Sequence, residues 1–273
     1  MIARVPPTRL VVLGHPVQHS LSPRFQNAAL EHCGFPQRYS TLDVLPHDLA
    51  ATVDCLAAEG AGGNVTIPHK EAMFALASHR SEVAEQTGAV NAFWFDNGAL
   101  IGHNTDVQGL QAALLALLPG GVRGAHCALL GAGGSAGAAL VTLQRMECGP
   151  IRVWSRTAGR ASALARRTGS HVTEYASAEA TVHGASLVIN ATPIGLHGDA
   201  MPVDPLALAP GAAVLDLVYR RGGTAWVRAC RSRGHEGEDG LLMLVEQGAA
   251  AFSCWFGVQA PRKAMWAALR DFV

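Results

Sequence analysis

The stretch Cys127-Ala-Leu-Leu130-Gly131-Ala132-Gly133-Gly134-Ser135-Ala136 decides the fold. Four apolar residues make a short buried strand. The glycines then turn the chain sharply into a helix that runs to about Glu147. Gly131-x-Gly133-x-x-Ala136 between a strand and a helix is the dinucleotide fingerprint in the context it requires. Glycine allows the tight turn and lets backbone N–H groups approach a pyrophosphate at the helix N-terminus. The same residues hold a rival motif. Gly133-x-Ser135-x-Gly137 fits the nucleophile elbow of an α/β-hydrolase, with Asp216 and His235 downstream in the right order for its acid and base.

The next strand, residues 151–154, weighs against the hydrolase. It is followed by Ser155-Arg156-Thr157-Ala-Gly-Arg160, at the strand end where a dinucleotide fold meets the adenosine ribose. An acidic residue there would select NAD. Arginines and hydroxyls suit a 2′-phosphate, and therefore NADP. The bland alternative is that Thr157 caps a helix to about Thr168 and the arginines are merely solvated.

Outward from this point the pattern alternates strand and helix, which predicts an α/β fold. Downstream lie strands at 187–190 and 213–217 and helices at 224–233, 241–254 and 261–272. Upstream lie strands at 10–13, 38–43 and 62–66. Ser22-Pro23 reads as the cap and first residue of a helix stopped by Gly34. A second helix covers 46–59, and Ile67-Pro68-His69-Lys70 opens a third. Residues 92–101 form a hairpin on Asn97-Gly98, and 105–118 an amphipathic helix. Two lobes follow: an N-terminal α/β substrate domain, residues 1–104 completed by 241–273, and a Rossmann-like NADP-binding domain, residues 105–240.

Composition bounds the function. The chain has 273 residues, 49% hydrophobic and 15% charged, enough apolar material to exclude disorder. Basic and acidic residues balance at 21 each, which argues against a nucleic-acid partner. No apolar run reaches the ~18 residues of a membrane helix. The first residues do not read as a signal peptide, so the expected address is the cytoplasm. The six cysteines lie at least 21 positions apart, which fits neither a zinc site nor a disulfide framework. His15 and His19 are separated by Pro16 and lack a third ligand, so no metal is expected. Nineteen of the 21 basic residues are arginine, so a lysine at position 70 calls for a reason.

The first lobe carries its polar residues in loops at strand ends, where α/β sites form. Ser20 and Ser22 flank a helix N-terminus, a place that favours a carboxylate. Asn64 and Thr66 end a strand, Lys70 follows, Asn91 precedes the hairpin and Asp106 follows it. Each has an ordinary structural alternative: helix caps for the serines and Asp106, a turn residue for Asn91.

Taken in order, these residues resemble the shikimate dehydrogenase family almost end to end. The matching segments are Ser20-Leu-Ser22-Pro23, Asn64-Val-Thr66-Ile-Pro68-His-Lys70, Gly88-Ala-Val-Asn91, Asn104-Thr-Asp106, Gly131-Ala-Gly-Gly134, Ser155-Arg-Thr157, Asn190-Ala-Thr-Pro-Ile-Gly195, Asp216-Leu-Val-Tyr219 and Gly240-Leu-Leu-Met-Leu-Val-Glu-Gln247. The resemblance implies NADPH-dependent, reversible reduction of 3-dehydroshikimate to shikimate on the way to chorismate; the sequence leaves a monomer and a homodimer both open. It implies that Lys70 and Asp106 are the catalytic pair and that Ser20 and Ser22 hold the substrate carboxylate. Asn64, Thr66, Asn91 and Gln247 would hold ring hydroxyls, with Tyr219 near the substrate. Gly131, Ala132, Gly133, Gly134 and Ser135 would hold the pyrophosphate. Ser155, Arg156, Thr157 and Arg160 would hold the adenosine phosphate, and Leu217 and Gly240 would lie near the nicotinamide.

The chain departs from the family pattern at Gln26, Ala92, Val107 and Arg220-Arg221. Relatives acting on quinate or aminoshikimate share the fold, so these departures bear on substrate choice. The paired serines favour shikimate. A degenerate member that binds NADP only as a sensor would have lost Lys70 or Asp106, and both are present.

Overall fold

The computed structural model describes residues 5–272. The described residues divide into two units, those up to 109 with 244–271, and 110–243 with 272. The first division falls inside a helix, a few residues after the 104/105 boundary expected from the sequence.

The first unit opens with β1 (Leu10–Gly14), buried along its whole length. It is followed by α1 (Ser22–His32), β2 (Tyr39–Asp43), a 3₁₀ turn at Pro46–Asp48 running into α2 (Leu49–Glu59), and β3 (Gly62–Val65). Then come α3 (Lys70–Leu76), β4 (His79–Arg80), α4 (Glu82–Thr87), β5 (Ala92–Asp96), β6 (Ala99–His103) and α5 (Asp106–Leu117). The sheet order is β2-β1-β3-β5-β6-β4. β1 pairs in parallel with β2 and β3, and β3–β5–β6 are antiparallel. β1 is apolar throughout because it has a strand on either side and packed side chains on both faces. Val11, Leu13, Val44, Leu56, Val65, Met73 and Phe93 form one core.

The second unit holds β7 (Cys127–Leu130), α6 (Gly134–Arg145), β8 (Ile151–Trp154), α7 (Arg160–Thr168), β9 (Val172–Glu174), α8 (Ala178–Val182), β10 (Leu187–Asn190), β11 (Ala213–Asp216), α9 (Ala225–Arg231) and β12 (Gly237–Glu238). Its six strands are all parallel, in the order β12-β11-β10-β7-β8-β9. The order reverses direction between β7 and β10, which is the switch point of a doubly wound sheet. Ala128, Leu130, Val188, Val214 and Trp226 build its core. The chain then continues through α10 (Leu241–Phe256) and α11 (Arg262–Ala267) into the first unit.

Two helix starts differ from the sequence reading. The cap of α1 is Leu21 and Ser22 is its first residue; Ser20 Oγ accepts the Ser22 N–H at 3.2 Å instead. The cap of α7 is Gly159, with φ +77°, so Thr157 does not cap it. β4, β9, β12, α4 and α8 are two to six residues long, too short for a period to register. Among the described residues no helix is long and apolar enough to cross a membrane, and no cluster of metal-ligating side chains is present.

Candidate active site

Lys70 begins α3, just beyond the carboxyl end of β3. Its neighbour His69 is buried and locked, with a ring nitrogen 2.7 Å from Val44 O. The Lys70 carbonyl accepts the Val90 N–H at 3.0 Å, which ties the start of α3 to the residue before Asn91. Lys70 Nζ lies 2.6 Å from Asp106 Oδ2, with side chains only 12% and 4% exposed. An ion pair this buried adds little net stability, because desolvation offsets the attraction. What it fixes is a position for an ammonium.

Asp106 is the first residue of α5, and the Asn104 side chain accepts its backbone N–H at 3.0 Å. Its second oxygen, Oδ1, accepts from Asn91 Nδ2 at 2.7 Å. Asn91 Nδ2 also reaches Thr105 Oγ1 at 3.0 Å and Gln247 Oε1 at 3.1 Å, while Asn91 Oδ1 accepts the Thr105 N–H at 2.7 Å. The Asn91 carbonyl accepts from Asn64 Nδ2 at 3.0 Å. Asn64 Oδ1 in turn accepts the Tyr39 hydroxyl at 2.7 Å. Burial raises the Tyr39 hydroxyl pKa far above the usual phenol range, partly offset by a hydrogen bond with the Ser22 side chain. Ser22, Asn64, Asn91, Asp106, Lys70 and Gln247 therefore belong to one buried polar network. Thr66 stands beside it, bonded through its N–H to Leu13 O at 2.8 Å, its methyl against Gly14.

Tyr39, Thr105 and Asn104 complete this network, and sequence reasoning gave them no role. Asn104 and Thr105 stood inside a recognised motif. Tyr39 carried no signal beyond being one of three tyrosines. Asn27 secures it, accepting the Tyr39 N–H at 2.9 Å and donating to its carbonyl at 2.8 Å. Gln26, one of the departures, is buried and donates to Gly248 O at 2.9 Å, next to Gln247.

In the second unit the glycine turn has the shape a dinucleotide needs. Gly131 has φ +114°, and a Cβ there would come within 2.7 Å of Ala191 O. Gly133 caps α6, has open space around the position of a Cβ, and brings no side chain to the first-turn N–H groups. Those groups suit a pyrophosphate. The Gly131 N–H bonds Trp154 O at 2.7 Å, which sets the turn beside the end of β8 and hence beside Ser155. Ser155 Oγ donates to Thr157 O at 2.6 Å, and Arg156, Thr157 and Arg160 are exposed. Two guanidinium groups and a hydroxyl on this edge fit a 2′-phosphate. Leu217 and Gly240 are in contact: a Cβ on Gly240 would fall 2.3 Å from Leu217 O. Tyr219 belongs to the second unit, whereas the other expected substrate contacts belong to the first.

Asp216, at the carboxyl end of β11, is fully buried. It accepts from Asn190 Nδ2 at 2.8 Å, Thr224 Oγ1 at 2.8 Å and the Val218 N–H at 3.1 Å. Burial pushes its pKa up to about 6 against those three bonds. The hydrolase triad is not assembled. His235 bonds Ala212 O at 3.0 Å at the amino end of β11, while Asp216 closes the carboxyl end. Four steps of extended chain separate Ala212 from Asp216, on the order of 13 Å.

A six-stranded parallel unit with a phosphate-ready glycine turn, joined in one chain to a unit holding a buried lysine–carboxylate pair, defines a dinucleotide-dependent oxidoreductase architecture. The model of the shikimate dehydrogenase substrate binding domain matches residues 12–93, and that of the shikimate 5'-dehydrogenase C-terminal domain matches 240–270. The chain belongs to the shikimate dehydrogenase family. Shikimate dehydrogenase (NADP(+)) of Rubrobacter xylanophilus is 42% identical, over 94% of each chain, and that of Mesorhizobium japonicum is 40% identical, over 91% of this chain and 90% of that one. The shikimate 5-dehydrogenase of Thermus thermophilus, solved in complex with NADP(H) and shikimate, superposes with a TM-score of 0.85 at 34% identity, covering 97% of this chain and 99% of that one.

Proposed function

We propose that this chain catalyses the reversible, NADPH-dependent reduction of 3-dehydroshikimate to shikimate, a cytoplasmic step toward chorismate and the aromatic amino acids. The observation that carries the reading is the 2.6 Å contact of Lys70 Nζ with Asp106 Oδ2 inside a cluster of side-chain amides. Family membership supports the substrate and the cofactor.

Ser20 and Ser22, at the N-terminus of α1, hold the substrate carboxylate, where the helix dipole favours negative charge. Asn64 has its Oδ1 on Tyr39 and one N–H on Asn91 O, so its other N–H serves a ring hydroxyl. Thr66, Asn91 and Gln247 complete the hydroxyl contacts, and Tyr219 is a further substrate-binding residue. Gly131 to Ser135 hold the pyrophosphate, Ser155 to Arg160 the 2′-phosphate, and Leu217 and Gly240 flank the nicotinamide. When bound, the reduced nicotinamide supplies hydride to the ketone carbon. Lys70 stabilises the alkoxide charge that develops on the substrate oxygen and gives it a proton from Nζ. Arginine could do the first but not the second, since it stays protonated. Asp106 keeps the ammonium in place and accepts from a substrate hydroxyl. Its own rotation is stopped by Asn91 and Lys70 gripping different oxygens.

The test is NADP⁺ reduction by the purified protein with shikimate, quinate and aminoshikimate side by side. Shikimate should give the highest kcat/KM. Preference for quinate or aminoshikimate would overturn the substrate, and no turnover with any of them would overturn the reaction.

A further inference from the structure

The expected 2′-phosphate loop, residues 155–160, is tied to the next strand by a carboxylate that nothing in its motif announces. Glu174 is the last residue of β9. Its Oε1 accepts the Gly159 N–H at 3.0 Å, and its Oε2 accepts the Ser162 N–H at 3.2 Å and the Ser162 hydroxyl. Gly159 is the cap of α7 and Ser162 its third residue, so one side chain from another strand closes the first turn of the helix. Capping by a local Ser, Thr, Asp or Asn is the usual solution. Here the cap is glycine, and Thr157 is occupied at its carbonyl by Ser155 Oγ and the Arg160 N–H. The hydroxyl of Ser162, followed by the Gly159 and Ser162 N–H groups, lowers the Glu174 pKa, so the group is charged at neutral pH.

We infer that Glu174 is a positioning residue for NADP selectivity. By clamping Gly159 and Ser162 it fixes the far end of the loop that presents Arg156 and Arg160. A charged hydrogen bond to phosphate is directional, so a loop free to move loses more with NADP than with NAD. Glu174 also brings a negative charge toward a site meant for phosphate, and repulsion would act in the opposite sense. The sign of the effect on deletion therefore decides between clamp and repulsion. The inference rests on the reading of the 155–160 loop as the 2′-phosphate site, and the experiment separates the two.

Wild type, Glu174→Ala, Glu174→Gln and Arg156→Ala are compared for kcat and KM with NADP⁺ and with NAD⁺ at saturating shikimate. For Glu174→Ala the KM for NADP⁺ should rise about tenfold, while kcat, the KM for NAD⁺ and the KM for shikimate stay within about twofold. Glu174→Gln keeps one acceptor oxygen, for the Gly159 N–H, but turns an amide donor toward the Ser162 N–H, so it should recover only part of the loss. A lower KM for NADP⁺ in Glu174→Ala would show repulsion and overturn the clamp. Equal losses with both cofactors, or no change with either, would also overturn it. If Arg156→Ala itself fails to raise the KM for NADP⁺ selectively, the reading of the loop falls and the clamp with it. If Arg156→Ala behaves as expected and Glu174→Ala does not, only the clamp falls.

Discussion

Lys70 is one of two lysines in a chain with nineteen arginines, and it is the one buried against a carboxylate. Lys70→Ala should lower kcat by about a hundredfold to ten-thousandfold, the range of a positioned acid–base group. The Kd for shikimate should move far less, because the alkoxide exists only near the transition state. Lys70→Arg keeps the charge but releases no proton, and should be nearly as slow. Near-normal turnover of the arginine variant would take proton transfer away from Lys70. Tyr39 acts one step further back. Tyr39→Phe leaves Asn64 Oδ1 without its buried donor, so the KM for shikimate should rise roughly tenfold, as for a hydrogen bond worth about 1.5 kcal/mol, with the KM for NADP⁺ unchanged. An unchanged KM for shikimate would show that Asn64 needs no such support. Asp216 gives a pH dependence. Its pKa is about 6 in the fold against 3.8 in the open chain, so between those values the folded state holds the proton that the unfolded state has lost. Its contribution is full below about pH 4 and is lost as pH rises through 6, on the order of 3 kcal/mol. Asp239, also raised by burial, adds a slope of the same sign. Asp216→Asn retains an acceptor for Asn190 and Val218 and should flatten much of that slope in urea unfolding at pH 4 to 7. An undiminished slope would assign it to other groups.

At the scale of elements, α10 depends on how closely it approaches α1. A Cβ on Gly248 would lie 2.5 Å from Phe25 Cε2 and 3.1 Å from Gln26 Nε2, and Phe25 is fully buried. Overpacking of this kind costs about 1–3 kcal/mol, while alanine in a helix regains about 1 kcal/mol over glycine. Gly248→Ala should thus lose roughly 1 kcal/mol net, and Gly248→Val about 2 or more, as a shift in urea midpoint at constant slope. Because Gln247 rides on the same turn, the KM for shikimate should rise alongside. Full stability with valine would mean that α10 moves away from α1 at no cost. Element by element, the longer helices and strands were legible because each carries its period for two turns or four residues. Helix starts were less so. Ser22 and Thr157 are good caps by residue type, yet the cap positions fell to Leu21 and Gly159, because the N–H groups concerned found partners in Ser20 and in a distant strand.

For the whole molecule, the proposed function divides labour between the two units, and hydrogen exchange reads it directly. Shikimate should protect amides around residues 62–70 and 89–93, and NADP⁺ those around 130–137 and 155–162. Either ligand at a hundredfold over its Kd should stabilise the chain by about 2.7 kcal/mol. Shikimate protection concentrated at 130–162 would reverse the assignment. By itself the sequence determined the glycine turn, the alternation of strand and helix, the arginine-bearing loop that follows β8, and the set of polar side chains at strand ends. These are local properties, written in neighbours a few positions apart. Only the tertiary structure decided that Lys70 meets Asp106 across 36 positions and that Asn91 meets Gln247 across 156. It also decided that Tyr39 stands behind Asn64 and that Glu174 closes the start of α7. Such pairings come from strand order and helix packing, which bring chain-distant residues into a buried space where each polar group must find a partner. The partner found there leaves no trace in the local pattern of either residue.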